Sequence, residues 1–237
     1  MLLSVIIPAY NEARTIAQIL QKLSETQLPV GYQWEIIVVD DHSSDTTSEI
    51  VSQWKEAHTQ PLTLIRHKQN WGKGRAIRTG LEHANGPYTI IQDADLEYEP
   101  ADIARLLQYA IIHDCPVVYG SRILGQREGH EGKITASPLF YWGGRLVTLA
   151  ANLLYGLHLT DEPTCYKLFK TDLLRSLCLE CEGFEFFPEV TAKVARQGIP
   201  IPEIPISYHP RTPSEGKKIN WRDGLEAIYT LLRYRLR

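Results

Sequence analysis

The sequence predicts an α/β protein, a mostly parallel central sheet with helices on both faces. Through the first half, short apolar runs alternate with segments whose apolar residues recur at helical spacing. That order of elements builds a parallel sheet covered on both sides. Each run stops at proline, glycine or a polar cluster, so each reads as a separate buried strand. The chain has 237 residues, 43% apolar and 22% charged, enough to bury a core without disulfide or metal staples.

Residues 3–8 (LSVIIP) form the first run. Residues 12–23 follow as a helix, with Ile16, Ile19, Leu20 and Leu23 on one face. The second run is 34–39 (WEIIVV), cut off by Asp40 and Asp41. Ser44 or Asp45 is placed to cap the next helix, which reaches about Ala57. Residues 62–66 are a strand, 74–84 a helix, 88–92 a strand, 100–112 a helix and 116–119 a strand. After Arg122 the pattern changes. Residues 123–135 read as a Gly-rich, charged loop, 138–155 as an apolar, aromatic helix, 164–170 as a strand and 187–197 as a helix. Residues 200–208 alternate, but their three prolines limit them to a sheet edge. Residues 209–220 are a polar, basic loop, and 221–237 form an amphipathic helix ending in arginines.

Composition excludes several classes. The formal net charge is −3, without the basic footprint that nucleic-acid binding needs. No run of about 18 apolar residues is present, so no spanning helix is expected. The N-terminus lacks a basic leader, so no signal peptide is expected. Cys115, Cys165, Cys178 and Cys181 read as reduced thiols, because the lone C-x-x-C has no second ligand pair.

Polar residues gather where strands end, the ligand-binding edge of such sheets. Asp93-Ala94-Asp95 is the sharpest signal. In an extended segment residues i and i+2 point the same way, and two adjacent carboxylates suit a hard divalent cation. Glu97 continues the spacing. A solvated acidic turn, or a cap for the helix that follows, explains the same residues. Asp40-Asp41 ends a buried run and suits a base or ribose; helix capping is the alternative, but Ser43, Ser44 and Asp45 are available for it and make the doublet redundant as a cap. Asn70-Trp71-Gly72-Lys73-Gly74 suggests a phosphate-binding turn, but its spacing is not that of a P-loop, and the two glycines better suit a tight backbone turn beside a nucleotide.

Taken in order, residues 5–11 (VIIPAYN) with Glu12, 36–41 (IIVVDD) with Ser44 and Asp45, 70–74 (NWGKG), 93–95 (DAD) and 120–122 (GSR) resemble the inverting glycosyltransferase family 2. The resemblance implies the GT-A nucleotide-diphospho-sugar transferase fold. In the second half, Asp161-Glu162-Pro163-Thr164 with Phe169, residues 183–186 (GFEF), Ile204-Pro205-Ile206 and Arg211, Ser214 and Lys217 are similar to the dolichol-phosphate mannose synthase branch. Cys165-Tyr166 stands where relatives usually carry Gly-Phe, and Glu97 where some carry Gln.

The resemblance implies a single domain over 1–237, with a nucleotide-sugar half (1–122), an acceptor-side half (123–220) and the terminal helix (221–237). Pro8, Tyr10, Glu12, Val38, Asp40, Asp93, Ala94 and Asp95 would bind the nucleotide sugar. Asp93, Asp95 and Glu97 would hold Mg²⁺ or Mn²⁺. Asp95, Arg122, Arg211 and Lys217 would be catalytic, stabilising charge on the leaving diphosphate. The implied reaction moves a hexose, mannose first, from GDP-mannose or a UDP-hexose to a polyprenyl phosphate at the membrane surface. The implied location is cytoplasmic, peripheral on the membrane face. A soluble or glycan acceptor is the alternative, with Glu185 as its base; a non-catalytic nucleotide-sugar-binding subunit is another. The apolar helix 138–155 would pack one face and keep the other near lipid, and the arginines of the last helix would meet anionic headgroups, edge a packed helix or make a subunit contact.

Overall fold

The computed structural model describes residues 1–130, 132, 138–211 and 221–237, with the backbone alone at position 139. A seven-stranded sheet runs through the described chain in the order β3-β2-β1-β4-β6-β5-β7. Strands β1 (Leu2–Ala9), β2 (Gln33–Asp40), β3 (Leu62–Arg66) and β4 (Tyr88–Ile91) pair in parallel. Helices α1 (Ile16–Glu25), α2 (Thr47–Ala57) and α3 (Lys73–Glu82) make the crossovers that parallel pairing requires. β1, β2 and β4 are buried almost throughout, which is why they read as continuous apolar runs.

The sequence divides at Arg122, and the sheet does not. β5 (Val117–Ser121) follows α4 (Pro100–Ile112), yet β5 does not pair with β4. β6 (Lys167–Lys170), from the second half, inserts between them, antiparallel to both. β7 (Glu203–Pro205) closes the edge in parallel with β5, where its proline breaks no interior ladder. The expected strand 164–170 is real but shorter at its start.

Two helices went unseen in the sequence. α5 (Arg122–Arg127) starts the segment expected to be loop, capped by Ser121 Oγ accepting from Leu124 N–H at 3.0 Å. Gly125 hides it from pattern reading, but a Cβ there would lie 1.9 Å from the Ile206 carbonyl oxygen, so close packing demands glycine. α7 (Thr171–Ser176) is the other; after it come α8 (Phe186–Arg196) and α9 (Trp221–Leu236). The expected cap of α2 is also refined: Thr46 is the N-cap, and the Asp45 carboxylate accepts from Thr47 N–H at 3.0 Å.

α6 (Pro138–Tyr155) lies against α9, and Tyr155 Oη donates to the Leu231 carbonyl at 2.7 Å. Val147 and Ala151 of α6 and Leu231 and Tyr234 of α9 are buried. Trp142, Leu146, Leu149 and Leu153, at spacings of four, three and four, are more than half exposed. So are Trp221, Leu225, Tyr229 and Leu236. Among the described residues, no helix is long and apolar enough to cross a membrane.

Candidate active site

The carboxyl ends of β1 and β4, with the loops after β2 and β3, enclose a cleft of about 200 Å³. Pro8, Tyr10, Glu12, Asp93, Ala94, Asp95, Glu97 and Arg211 line it, all of them expected from the sequence. The mechanism of their convergence differs from the expected strand alternation. β4 ends at Ile91, and residues 93–97 form a turn. Leu96 adopts φ +63°, a left-handed conformation that a side chain of this kind rarely takes. Glu97 N–H donates to Asp95 Oδ1 at 3.2 Å and fixes the turn.

Each carboxylate of the turn has a different partner. Asp93 pairs with Lys73 Nζ. Asp95 Oδ2 accepts from Arg211 Nη2 at 2.8 Å. Glu97 accepts from Tyr208 Oη at 2.8 Å and from Arg211 N–H at 2.6 Å. Glu12 Oε2 lies 3.5 Å from Arg211 Nη1. Burial raises the Asp95 carboxyl to about 7, helped by Asp93 and Glu97 and opposed by Arg211 and Lys73. Burial works against the Lys73 ammonium, yet the Asp93 carboxylate outweighs it and holds the amine above its ordinary value. Phe187 and Phe184 flank this ammonium, their ring centres 4.9 and 5.5 Å away.

The crowding of hard oxygen donors against one another fits a divalent cation in chemistry. In geometry the donors are presently shared out. Among the described residues, no three His, Cys, Asp or Glu side chains converge as a ligand set; Lys73 and Arg211 supply the countercharge instead.

Two expected residues do not reach the cleft. Val38 is fully buried inside β2. Asp40 is also fully buried, its carboxylate accepting from Ser43 N–H at 2.8 Å and from Ser48 Oγ. Asp40 therefore ties β2 to α2. Its neighbour Asp41 lines the cleft and accepts from Trp71 N–H at 2.9 Å, Gly72 N–H at 2.7 Å and His67 Nδ1 at 2.7 Å. That pairing rules against a phosphate-binding turn at 70–74 and agrees with the tight glycine turn expected there. Two of its amides bind Asp41, and Gly74 and Arg75 donate to Gly183 and Glu182 carbonyls at 3.1 and 2.9 Å. A Cβ at Gly72, whose φ is +98°, would lie 2.6 Å from the Glu182 oxygen, so glycine lets α3 dock on the 182–183 backbone. What the turn delivers to the cleft is the Lys73 side chain. Lys73, Asp41 and Phe184 are site residues that sequence reasoning left out, although each stood inside a quoted motif.

Arg122 lies in an adjoining groove of about 340 Å³, which shares Lys73, Asp93, Glu97 and Phe184 with the cleft. Asp161 accepts from its Nε and Nη2, both at 2.7 Å, and the Tyr208 ring centre is 4.9 Å away. Burial opposes the guanidinium, but Asp161 holds it fully charged. The groove continues between α6 and α9, past Trp142, Leu146, Val147, Trp221 and Ala227. Glu185 lines neither space; its Oε1 accepts the Glu182 and Gly183 amides at 3.1 and 2.9 Å. Ser214 and Lys217 lie outside the described residues. The four cysteines are free thiols.

Comparisons with known proteins bear on the same architecture. The chain is 27% identical over 216 residues to undecaprenyl-phosphate 4-deoxy-4-formamido-L-arabinose transferase of Pseudomonas aeruginosa, covering 91% of this chain and 60% of that protein. It is 29% identical over 227 residues to dolichyl-phosphate beta-glucosyltransferase of Saccharomyces cerevisiae, covering 87% and 66%. The chain thus spans about three fifths to two thirds of the length of these curated relatives. Glucosyl-3-phosphoglycerate synthase from Mycobacterium tuberculosis, solved with Mn²⁺, UDP and phosphoglyceric acid, superposes with a TM-score of 0.68 at 20% identity, over 98% of this chain and 78% of that one. The fold is GT-A, as expected. The family model for glycosyl transferase family 2 matches residues 4–178, which include the Asp93–Asp95 turn, Lys73, Arg122 and Asp161, and the chain belongs to that family.

Proposed function

We propose that the protein transfers a glycosyl group from a nucleotide-diphosphate sugar to a polyprenyl phosphate at a membrane surface, with inversion at the anomeric carbon. One observation carries this reading: a charged cleft adjoins an apolar groove, with Lys73, Asp93, Glu97 and Phe184 lining both, and the groove's outer walls, α6 and α9, expose tryptophan and leucine. A nucleotide diphosphate suits the first space and a lipid tail the second.

Asp93, Asp95 and Glu97 would hold Mg²⁺ or Mn²⁺, which supplies charge stabilisation for the departing diphosphate. Binding there requires Lys73 and Arg211 to yield their present carboxylate partners, and both cations then become available to phosphate oxygens. Asp161 engages only Nε and Nη2 of Arg122, so Nη1 can take a phosphate oxygen while the guanidinium stays aimed. Lys217 is proposed to join them from the segment outside the described residues. The acceptor oxygen attacks the anomeric carbon as the bond to the diphosphate breaks, and the electron pair leaves with the nucleotide. A phosphate acceptor is already anionic at neutral pH, so no general base is required. The internal bonds of Glu185 agree with that. The base and ribose are placed against Pro8, Tyr10 and Glu12, with Asp41 rather than Asp40 beside them.

The two curated relatives are named for glucose and for an arabinose derivative, so mannose no longer leads, and UDP-hexoses and GDP-mannose are equal first candidates. The exposed faces of α6 and α9 are proposed to rest on the cytoplasmic membrane surface, where tryptophan and arginine are favourable; from Pro205 onward seven Lys and Arg stand against three Asp and Glu. The test is incubation of radiolabelled UDP-glucose, other UDP-hexoses and GDP-mannose with Mg²⁺ or Mn²⁺ and a polyprenyl phosphate. Label should enter the organic phase and EDTA should prevent it. Label found only in water-soluble product would overturn the acceptor assignment.

A further inference from the structure

Tyr208 takes no part in the reaction as proposed, yet it touches both halves of the site. It lies just beyond β7, is buried and lines the larger groove. Its hydroxyl donates to Glu97 Oε2 at 2.8 Å. Its ring centre lies 4.9 Å from the Arg122 guanidinium and 5.0 Å from the Tyr98 ring centre. One side chain thus meets a carboxylate of the candidate metal set and the arginine offered to phosphate.

The hydroxyl is not what holds this segment in place. Backbone bonds do so on both sides of it. Ile206 N–H donates to the Ser121 carbonyl at 3.1 Å, Ser207 N–H to Asp102 Oδ2 at 2.7 Å and His209 N–H to the Glu97 carbonyl at 2.8 Å. The ring has its own seat against Tyr98, whose hydroxyl accepts from Cys165 N–H at 2.9 Å. With backbone and ring fixed separately, the phenol oxygen reaches Glu97 at a set position. Arg211 N–H donates to the other Glu97 oxygen at 2.6 Å, so the carboxylate cannot turn without breaking a bond. Each oxygen keeps a second lone pair for a cation. Hydrogen bonds of this kind orient ligating carboxylates, and losing one typically lowers metal affinity by about 10–100-fold. The ring does different work. An aromatic face attracts a largely buried guanidinium, and it adds to Asp161, which engages only Nε and Nη2.

We infer that Tyr208 is a positioning residue for both partners of the reaction: its hydroxyl orients Glu97 for a divalent cation, and its ring orients Arg122 for the acceptor phosphate. The inference rests on the proposed metal set and polyprenyl-phosphate acceptor, and adds the side chain that ties one to the other. The two roles belong to different atoms, so substitution can separate them.

Two variants of the full 237-residue chain are compared with the wild type. Loss of the free-ion EPR signal reads Mn²⁺ binding with UDP or GDP present. Transfer of label to polyprenyl phosphate at saturating Mn²⁺ gives kcat and the acceptor KM. Tyr208→Phe keeps the ring and loses the hydroxyl. Its Mn²⁺ affinity should fall about tenfold or more, with the acceptor KM within about twofold of the wild type. Tyr208→Leu loses both groups. It should show the same Mn²⁺ loss and an acceptor KM raised about threefold or more. A merely structural tyrosine would lower the melting temperature of the variants and leave Mn²⁺ affinity and acceptor KM unmoved; that result overturns the inference. So does an acceptor KM raised equally by both variants. If Tyr208→Leu does not fold, Tyr208→Phe decides alone, because unchanged Mn²⁺ affinity refutes the inference. A wild type that binds Mn²⁺ but labels no polyprenyl phosphate refutes the proposed acceptor and the Arg122 half of the inference, while the Glu97 half is still read from Mn²⁺ binding. A wild type that binds no Mn²⁺ refutes the metal set and the inference together.

Discussion

The cleft at the strand ends and the groove between α6 and α9 are built on opposite terms. In the cleft, Asp93 and Asp95 are held in ion pairs with Lys73 and Arg211, and Glu97 accepts from Tyr208 Oη and the Arg211 N–H. Along α6 and α9, by contrast, Leu146, Leu149, Leu153 and Leu225 are all more than half exposed. Under the proposed function, an anionic ligand of the first region has to compete with the Asp93 and Asp95 carboxylates for Lys73 and Arg211. The second offers contiguous apolar surface of the kind that marks an interaction site. Charged chemistry and apolar docking are thus separated by a few side chains, chiefly Arg122, Tyr208 and Phe184, and mutations should separate them too.

The largest expected effect breaks the cleft. Asp95→Asn keeps the shape and removes a charge from the candidate metal set, so turnover should fall by about 10²–10³-fold or more. Radiolabel transfer measures it. Exposed-face binding to vesicles should not change. Turnover within tenfold of the wild type would remove Asp95 from the site.

Next comes the wall between the regions. Asp161→Ala strands the largely buried Arg122 guanidinium and frees its fork. Breaking a buried pair from one side typically costs about 3–5 kcal/mol, a large part of a stability of roughly 5–15 kcal/mol. Urea unfolding reads the loss, and Asp161→Asn should recover a portion by still accepting hydrogen bonds. A loss below about 1 kcal/mol would mean that Arg122 finds another partner, and the described geometry around Tyr208 would then not be what aims it.

A smaller, more selective effect is expected on α6 and α9. Leu149→Glu with Leu225→Glu changes exposed positions outside the lining of either space, so stability should move by no more than about 0.5 kcal/mol each. Binding to anionic vesicles should drop about tenfold or more, since each exposed leucine contributes roughly 1.5–3 kcal/mol when buried. Transfer to a vesicle-borne acceptor should fall in parallel, while transfer to a short, water-soluble polyprenyl phosphate should hold. Equal loss on both acceptors would place these leucines in the reaction path rather than on a docking face.

The two regions were also unequally legible. α4 and α6 can be read from the sequence to the residue, and β1 and β2 to within a residue or two, because apolar periodicity reports burial directly. The pairing of β6 between β4 and β5 was not visible, since no local pattern encodes a partner about fifty to eighty residues away. The site was read one position off at Asp40. Both aspartates follow the same buried strand; only tertiary partners, Ser48 on one side and the 71–72 amides on the other, decide which faces the cleft. Lys73 was hidden for a similar reason. Its motif drew attention to the backbone, as a phosphate-binding or a tight glycine turn, and those backbone donors are spent within the protein.

The smallest expected effect is the one that sharpens the acceptor. An acid that serves as general base must reach the proton it removes. Glu185 Oε1 instead accepts two amides of the segment that α3 docks against, and a glutamine oxygen at the same place can accept both. Glu185→Gln should therefore retain turnover within about threefold, with an unshifted pH profile, because nothing that titrates in the reaction has been removed. Transfer to a hydroxyl acceptor would behave otherwise. It needs a base contributing about 10²–10⁴-fold, and if Glu185 were that base the variant would be nearly inactive and its residual activity would rise with pH. A single rate comparison on this residue therefore separates a phosphate acceptor from a hydroxyl acceptor served by Glu185, without the natural lipid having to be identified first.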